Sequence, residues 1–126
     1  MPAVIQASQR DFASTLSARQ EPVLVDFSAS WCGPCKALAP ALEAFAERRR
    51  NQLAVVKLDI DEAPDVAAQY SIRSVPTLML FKDGKPLAMQ AGMMSEAQLD
   101  RFVEKYLPGR GVGQQDPTRP QIDLDW

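Results

Sequence analysis

VDFSASWCGPCK, residues 25–36, holds the chain's only two cysteines, three residues apart and directly after an apolar run that carries a carboxylate. If a helix begins near Cys32, then Cys32 and Cys35 lie one turn apart on one face, with about 5–6 Å between their Cβ atoms. A disulfide accepts Cα separations of about 4.4–6.8 Å, so a small adjustment of the first turn lets the bond form. The pair is therefore predicted to open and close without refolding of the chain.

Reactivity requires a thiolate, and the sequence predicts different roles for the two sulfurs. Cys32 would lie at the helix N-terminus, where unpaired N–H groups and the helix dipole favour negative charge. Cys35, one turn inside, is expected to be more buried and less ionised. Cys32 would then attack a substrate disulfide, and Cys35 would release the product from the mixed disulfide. Gly33 leaves the approach to the first sulfur open, and Pro34 occupies the first turn, where its missing N–H costs no bond.

Two other uses of the cysteines are possible. A zinc site usually takes four Cys or His ligands, whereas this chain has two Cys and no His; a site shared between two chains remains open. A static crosslink that closes so small a loop would add little stability and is not expected in a reducing cytosol. We therefore predict a redox dithiol and no metal site.

Composition predicts one domain. The chain has 126 residues, of which 46% are apolar and 24% charged, enough for a modest core. The net charge of −2 gives no reason to expect a nucleic-acid or anionic-lipid partner. The first residues, MPAVIQASQRDF, lack the pattern of a secretory signal, and no run of about 18 apolar residues could span a bilayer. We expect a cytoplasmic protein without a membrane partner, and a monomer.

Helical and strand-like patterns alternate along the chain. Helices are predicted over residues 8–17, 32–50, 63–69 and 95–106. Strands are predicted over residues 3–6, 22–27, 53–60, 76–81 and 85–91. Ser95 and Gln98 form a capping-box pattern, and Asp83-Gly84 predicts a hairpin between the last two strands. This order predicts an α/β fold with a central mixed β-sheet, parallel except for the hairpin edge, and helices on both faces.

The composition changes from Pro108 onward, where three Gly and three Pro occur among 19 residues. The predicted domain therefore covers residues 1–108, and residues 109–126 are predicted to be a flexible C-terminal tail. The tail's last five residues, IDLDW, resemble a docking motif, because an aromatic anchor among acids can bind a groove.

Two charges interrupt apolar runs, Asp26 in VLVDF and Lys57 in VVKL, and both are expected to be unusually buried. Desolvation would raise the pKa of Asp26, and a nearby lysine would lower it. A buried carboxylate close to Cys35 would act as general base when the second cysteine loses its proton. The alternative is an ion pair at the surface, at the end of the strands.

WCGPCK after VDFSAS, together with KLDID, SIRSVPTLMLFKDGK and Gly92, resembles the thioredoxin family, from about Val4 to Leu107. The resemblance implies the thioredoxin fold and the reduction of protein disulfides, with electrons drawn from NADPH through a flavin-containing thioredoxin reductase. The implied partners are that reductase and disulfide-containing client proteins. No bound cofactor is implied, only a redox-active Cys32–Cys35 disulfide.

The resemblance also implies roles for single residues. Asp26 matches the family's buried aspartate, and Lys57 matches its partner lysine. Pro76 matches the family's cis-proline beside the dithiol, which would leave the backbone of Val75 free to pair with an extended substrate segment. The implied substrate face consists of Trp31, Gly33, Pro34, Val75, Pro76 and Gly92.

Two alternative functions remain. An oxidase or isomerase would use the same chemistry in the other direction, although the Gly-Pro between the cysteines argues against it by resemblance. A redox-independent binding subunit would use the same fold within a larger assembly, and its activity would survive loss of both cysteines.

Overall fold

The computed structural model describes residues 3–107, which form five strands and four helices in the predicted order. The strands are β1 Ile5–Ala7, β2 Val23–Ser28, β3 Ala54–Asp59, β4 Thr77–Lys82 and β5 Lys85–Ala91. The helices are α1 Phe12–Ser17, α2 Gly33–Arg48, α3 Pro64–Gln69 and α4 Glu96–Glu104. The predicted tail and the predicted domain end at residue 108 lie outside the described residues.

The strands form one mixed sheet in the order β1-β3-β2-β4-β5. β1 and β2 run parallel to β3, while β4 is antiparallel to β2 and β5 is antiparallel to β4. The predicted mixed sheet is confirmed, but a parallel crossover into β4 is wrong. β4 is antiparallel to β2, and β2 runs parallel to β3. The chain therefore enters β4 at the end of the sheet where β3 finishes.

Local hydrogen bonds fix several of the turns and helix starts. The predicted capping box is present, because the Gln98 N–H donates to Ser95 Oγ at 3.1 Å and the Ser95 N–H donates to Gln98 Oε1 at 2.8 Å. α1 begins at Phe12, four residues later than predicted. Reciprocal bonds between Ser8 and Asp11 hold residues 8–11 in a turn before the helix.

The hairpin between β4 and β5 forms where the sequence predicts it. Asp83 and Gly84 have φ values of 54° and 78°, the left-handed pair that a tight two-residue hairpin requires. Asparagine, aspartate and glycine are the residues that accept this conformation most readily. The pairing of the last two strands is therefore set by local chemistry.

A separate core packs on each face of the sheet. Leu38, Leu42 and Phe45 of α2 pack on one face together with Leu24 of β2. The other face carries a core built from α1, α3 and their neighbours, including Phe12, Leu16, Val25, Phe27 and Val66. All six residues of β2 are buried. Because side chains alternate along a strand, Asp26 shares the α2 side of the sheet with Leu24.

A cluster of charged groups ties the far end of α2 to α4. The Arg49 side chain is only 8% exposed, and its Nη2 lies 2.8 Å from carboxylate oxygens of Asp100 and Glu104. Arg48 pairs with the same Asp100 at 2.9 Å. Both guanidinium groups also lie about 6 Å from the centroid of the Phe45 ring. These contacts anchor the helix whose opposite end carries the cysteines.

Candidate active site

The two cysteines lie at the start of α2, where strand β2 delivers the chain into the helix. Cys32 is the N-cap residue, and it forms a disulfide with Cys35 across a Cα separation of 5.3 Å. Pro34 lies in the first turn, as predicted. The backbone N–H of Cys35 donates to Cys32 Sγ at 3.1 Å. A sulfur at an N-cap that accepts a helix N–H is favoured as a thiolate after reduction.

The predicted contrast in burial between the cysteines is wrong for the disulfide form. Cys32 is 3% exposed and Cys35 is 2% exposed. Both pack in a small cluster with Ala29, against which Ile60 and Val75 lie. The bond to Cys35 turns the N-cap sulfur inward, so the two sulfurs differ in their hydrogen bonding and hardly in their exposure.

The loop before β4 lies against the dithiol. The Val75–Pro76 peptide bond is cis, as the resemblance implies, and the Val75 carbonyl oxygen lies 3.7 Å from Cys32 Sγ. The Gly92 N–H donates to the Pro76 carbonyl at 2.8 Å, so the residue after β5 is joined to the same loop. Gly92 has a φ of +103°, a conformation that other residues rarely adopt. Val75, Pro76 and Gly92 therefore form one wall beside Cys32.

The remaining residues of the expected substrate face lie on the α2 side of the dithiol. Trp31 is 66% exposed, while its indole Nε1–H donates to Asp61 Oδ2 at 2.7 Å. Gly33 and Pro34 are also exposed, whereas the ring of Pro76 is buried. Asp61 was not among the residues predicted for the site. Its only indication in the sequence is its position, two residues after β3, as an acidic residue beyond a strand that runs toward the site.

Asp26 is buried beneath the site, as predicted, at 1% exposed. Neither of its carboxylate oxygens has a hydrogen-bond partner among residues 3–107. Burial raises the pKa of Asp26 to about 6, and the positive charge of Lys57 on the adjacent strand opposes that rise. Lys57 is partly buried, so the surface ion pair that the sequence left open is not the arrangement found.

A cavity of about 400 Å³ lies between the rear of the dithiol and Lys57. Cys35 and Lys57 both line it, together with the polar side chains Ser28 and Asp59. A polar cavity of this size holds several water molecules. Water there can contact Cys35 and Lys57, whereas Asp26, 1% exposed, is not among the residues that line the cavity. Sequence reasoning identified neither Ser28 nor Asp59 as part of this surface.

Two further features bear on the chemistry. Across residues 3–107, no group of three or more His, Cys, Asp or Glu side chains could hold a metal ion. In the same part of the chain, no helix is long and apolar enough to cross a membrane. The ionisable side chains around the rear of the dithiol are Asp26, Lys57 and the cavity-lining Lys36, Asp59 and Glu62.

The chain is similar to known proteins along almost its whole described length. The thioredoxin family model matches residues 3–105. A thioredoxin of Acidithiobacillus ferridurans is 46% identical over 105 residues, which cover 83% of this chain and 97% of that protein. A thioredoxin of Mycobacterium tuberculosis is 43% identical over 106 residues, covering 84% of this chain and 91% of that protein.

A third relative has a different architecture. A bifunctional thioredoxin reductase/thioredoxin of Mycobacterium leprae is 41% identical over 104 residues, which cover 82% of this chain and 23% of that protein. The match to the family model, residues 3–105, spans the cysteines and the five strands found here. Together with the disulfide at the start of α2, these matches show that the chain belongs to the thioredoxin family, whose members are thiol–disulfide oxidoreductases that reduce protein disulfides.

Proposed function

We propose that this protein reduces disulfides of client proteins through Cys32 and Cys35, and that an NADPH-dependent thioredoxin reductase returns it to the dithiol form. The observation that carries the assignment of roles is the N–H of Cys35, which points at Cys32 Sγ from 3.1 Å. That bond favours the thiolate at Cys32, which is the attacking species in thiol–disulfide exchange.

The proposed reaction has two exchange steps. The Cys32 thiolate attacks one sulfur of the client disulfide, the client S–S bond breaks, and a mixed disulfide forms while one client thiolate leaves. The Cys35 thiolate then attacks Cys32 Sγ, which releases the second client thiolate and forms the Cys32–Cys35 disulfide. Two electrons pass from the dithiol to the client, and no bound cofactor takes part.

Cys35→Ser is expected to trap clients on Cys32 as stable mixed disulfides, because the serine hydroxyl cannot carry out the second step. The measurement is non-reducing electrophoresis and mass spectrometry of the variant after incubation with a disulfide-bonded protein. The matched control is Cys32→Ser, which keeps the other sulfur and should trap far less. Trapping at Cys35 in preference to Cys32 would reverse the assigned roles.

Asp26 is proposed as the general base for the second step; Lys57, in register with it on β3, lines the same cavity as Cys35 and would link the carboxylate to water there. Its pKa of about 6 allows the carboxylate to accept a proton near neutral pH. Lys57, in register with Asp26, is proposed to moderate that pKa by its charge. Both roles rest on placement in the structure and on the family resemblance.

Asp26→Asn is expected to slow release of the second client thiol near pH 7 by up to roughly a hundredfold, at the lower end of general-base effects. The pH dependence centred near 6 should also disappear from that step, because asparagine does not titrate. Single-turnover release from a preformed mixed disulfide, followed from pH 5 to 8, measures both effects. An unchanged pH–rate profile would reduce Asp26 to a structural residue.

The proposed client face consists of Trp31, Gly33, Pro34, Val75, Pro76 and Gly92. Its support is the placement of Val75 against Cys32 and the bond from Gly92 to Pro76. The Val75 backbone would pair with an extended client segment, and the exposed Trp31 ring would cover the adjoining side chains. An apolar face of this kind suits loose recognition of many clients.

The partners follow from the same proposal. The relative from Mycobacterium leprae is named as a reductase joined to a thioredoxin, which supports a thioredoxin reductase as the electron donor here. We place the protein in the cytoplasm, where a reducing environment keeps the dithiol available, and we propose that it acts as a monomer without nucleic-acid or membrane partners. No feature of residues 3–107 favours the redox-independent binding subunit.

A further inference from the structure

Strand β5 forms one edge of the sheet, because within residues 3–107 it pairs with β4 alone. The first half of this edge is poorly suited to further pairing. Pro86 has no N–H to donate, Lys85 places a charge there, and the register with β4 shifts at a bulge beside Leu87. The second half, residues 88–91, keeps regular pairing with β4, and its outer edge carries no such obstacle.

One face of β5 is apolar and exposed. Met89 is 55% exposed and lies opposite Met79, a member of the core on the α1 and α3 side of the sheet. Leu87, two residues before it, is 45% exposed. The helices on this side cover the inner strands and leave β5 open, which places large apolar side chains next to an unpaired edge.

The other face of β5 lies beside two basic residues of the α4 region. Gln90 shares a cavity of about 270 Å³ with Arg101 and Lys105 of the α4 region. Within residues 3–107, neither of these two cations forms an ion pair. Side chains of an added strand alternate between the two faces of a sheet. A segment that pairs with this edge therefore matches it best when apolar and acidic residues alternate.

Such a segment is IDLDW at residues 122–126, in which Ile122, Leu124 and Trp126 alternate with Asp123 and Asp125. The only other alternation of this kind, LDID at residues 58–61, begins in β3 and is already part of the sheet. We propose that the outer edge of β5 is a docking site for residues 122–126 of the same chain. Apolar side chains of the segment would meet the face of Met89, and its carboxylates would meet Arg101 and Lys105. Backbone pairing along residues 88–91 would supply the affinity, as in other strand-addition complexes.

The connection is long enough for this docking within one molecule. Fourteen residues, 108–121, separate Leu107 from the segment, and they can span up to about 46 Å at roughly 3.3 Å per residue. Lys105, two residues before Leu107, lines the same cavity as Gln90 of β5, so the edge of β5 is within this reach. The tether holds the segment at an effective concentration of about millimolar, well above a protein sample at micromolar concentration.

The test is amide hydrogen exchange of residues 88–91 in the full chain, by NMR at low salt and low protein concentration. Asp123→Lys is expected to speed exchange of the outward-facing amides roughly threefold to tenfold. The variant would lose an exposed ion pair, and the backbone pairing of the segment with β5 would weaken with it. Asp116→Lys makes the same charge change outside the segment and is the matched control. Leu124→Ser should act like Asp123→Lys without changing the charge.

A double variant with the two charges swapped tests whether Arg101 is the group that Asp123 contacts. Adding Arg101→Glu to Asp123→Lys should restore slow exchange, because the two charges are then swapped across the proposed contact. Equal exchange in the wild type, Asp123→Lys and Leu124→Ser would overturn the proposal. So would an equal effect of Asp116→Lys, or protection that grows with protein concentration, which would assign the edge to a second copy of the chain.

Discussion

Cys32→Ser is expected to lower NADPH-coupled reduction of a disulfide-bonded protein by at least about a thousandfold, the scale on which loss of a catalytic nucleophile is felt. The large loss of turnover follows from the position of Cys32 at the start of α2. Cys32 Sγ accepts the Cys35 N–H at the N-cap of α2, where a thiolate is stabilised, whereas a serine hydroxyl there stays protonated at neutral pH. The assay supplies thioredoxin reductase and NADPH and follows NADPH oxidation.

Serine is a good N-cap, so Cys32→Ser should keep the helix start and the fold intact, which circular dichroism can verify. Ser17→Ala, at an exposed residue of α1 outside the cavity behind Cys35, is the control and should retain full turnover. Slow turnover in the wild type and in Cys32→Ser alike, with both proteins folded, would show that the dithiol is not the working group. The binding-subunit alternative would then become the better explanation.

Asp26→Asn is expected to raise the free energy of unfolding at pH 7 by about 3 kcal/mol, from a pKa displaced by about two units at 1.36 kcal/mol per unit. The native carboxyl has a pKa of about 6, against an ordinary value of 3.8, because burial penalises its charged form. Between these values the folded protein holds a proton that the unfolded chain has lost, so stability falls as the pH rises from about 4 to above 6. Asparagine has no such dependence.

Urea unfolding at pH 4, 5, 6 and 7 measures this difference, which should be small at pH 4 and grow toward pH 7. Asp83→Asn is the matched control, since Asp83 is an exposed carboxylate in the hairpin and its stability effect should stay small at every pH. A pH-independent difference between the wild type and Asp26→Asn would mean that packing, and not ionisation, accounts for the change.

Local chemistry made much of the fold predictable from sequence. The hairpin follows from Asp83-Gly84, the start of α4 from Ser95 and Gln98, and the dithiol from its position after β2, and all three are present. The antiparallel entry into β4 was not predictable, because the 17 residues between β3 and β4 are enough to bring the chain back at either end of the sheet. The start of α1 also escaped prediction, since a turn of side-chain bonds competes with the helix there.

The site, like the fold, has features that the sequence predicts and features that it does not. The burial of Asp26 and its neighbourhood with Lys57 could be predicted from a charge within an apolar run, and the structure places both as expected. The hydrogen bond between Trp31 and Asp61 joins residues 30 positions apart, so no local sequence pattern predicts it. The inward turn of Cys32 likewise depends on packing against Val75 and Ile60. The roles assigned to these residues remain predictions for the experiments above.

The cavity behind Cys35 gives solvent a second route to the two cysteines. None of its lining residues belongs to the proposed client face, which lies on the side of Val75 and Gly92. A client that covers the front of the site therefore leaves this rear opening in contact with solvent. If proton transfer runs through this cavity as proposed, a large client that covers the front of the site would leave the proton path to Cys35 open during its own release.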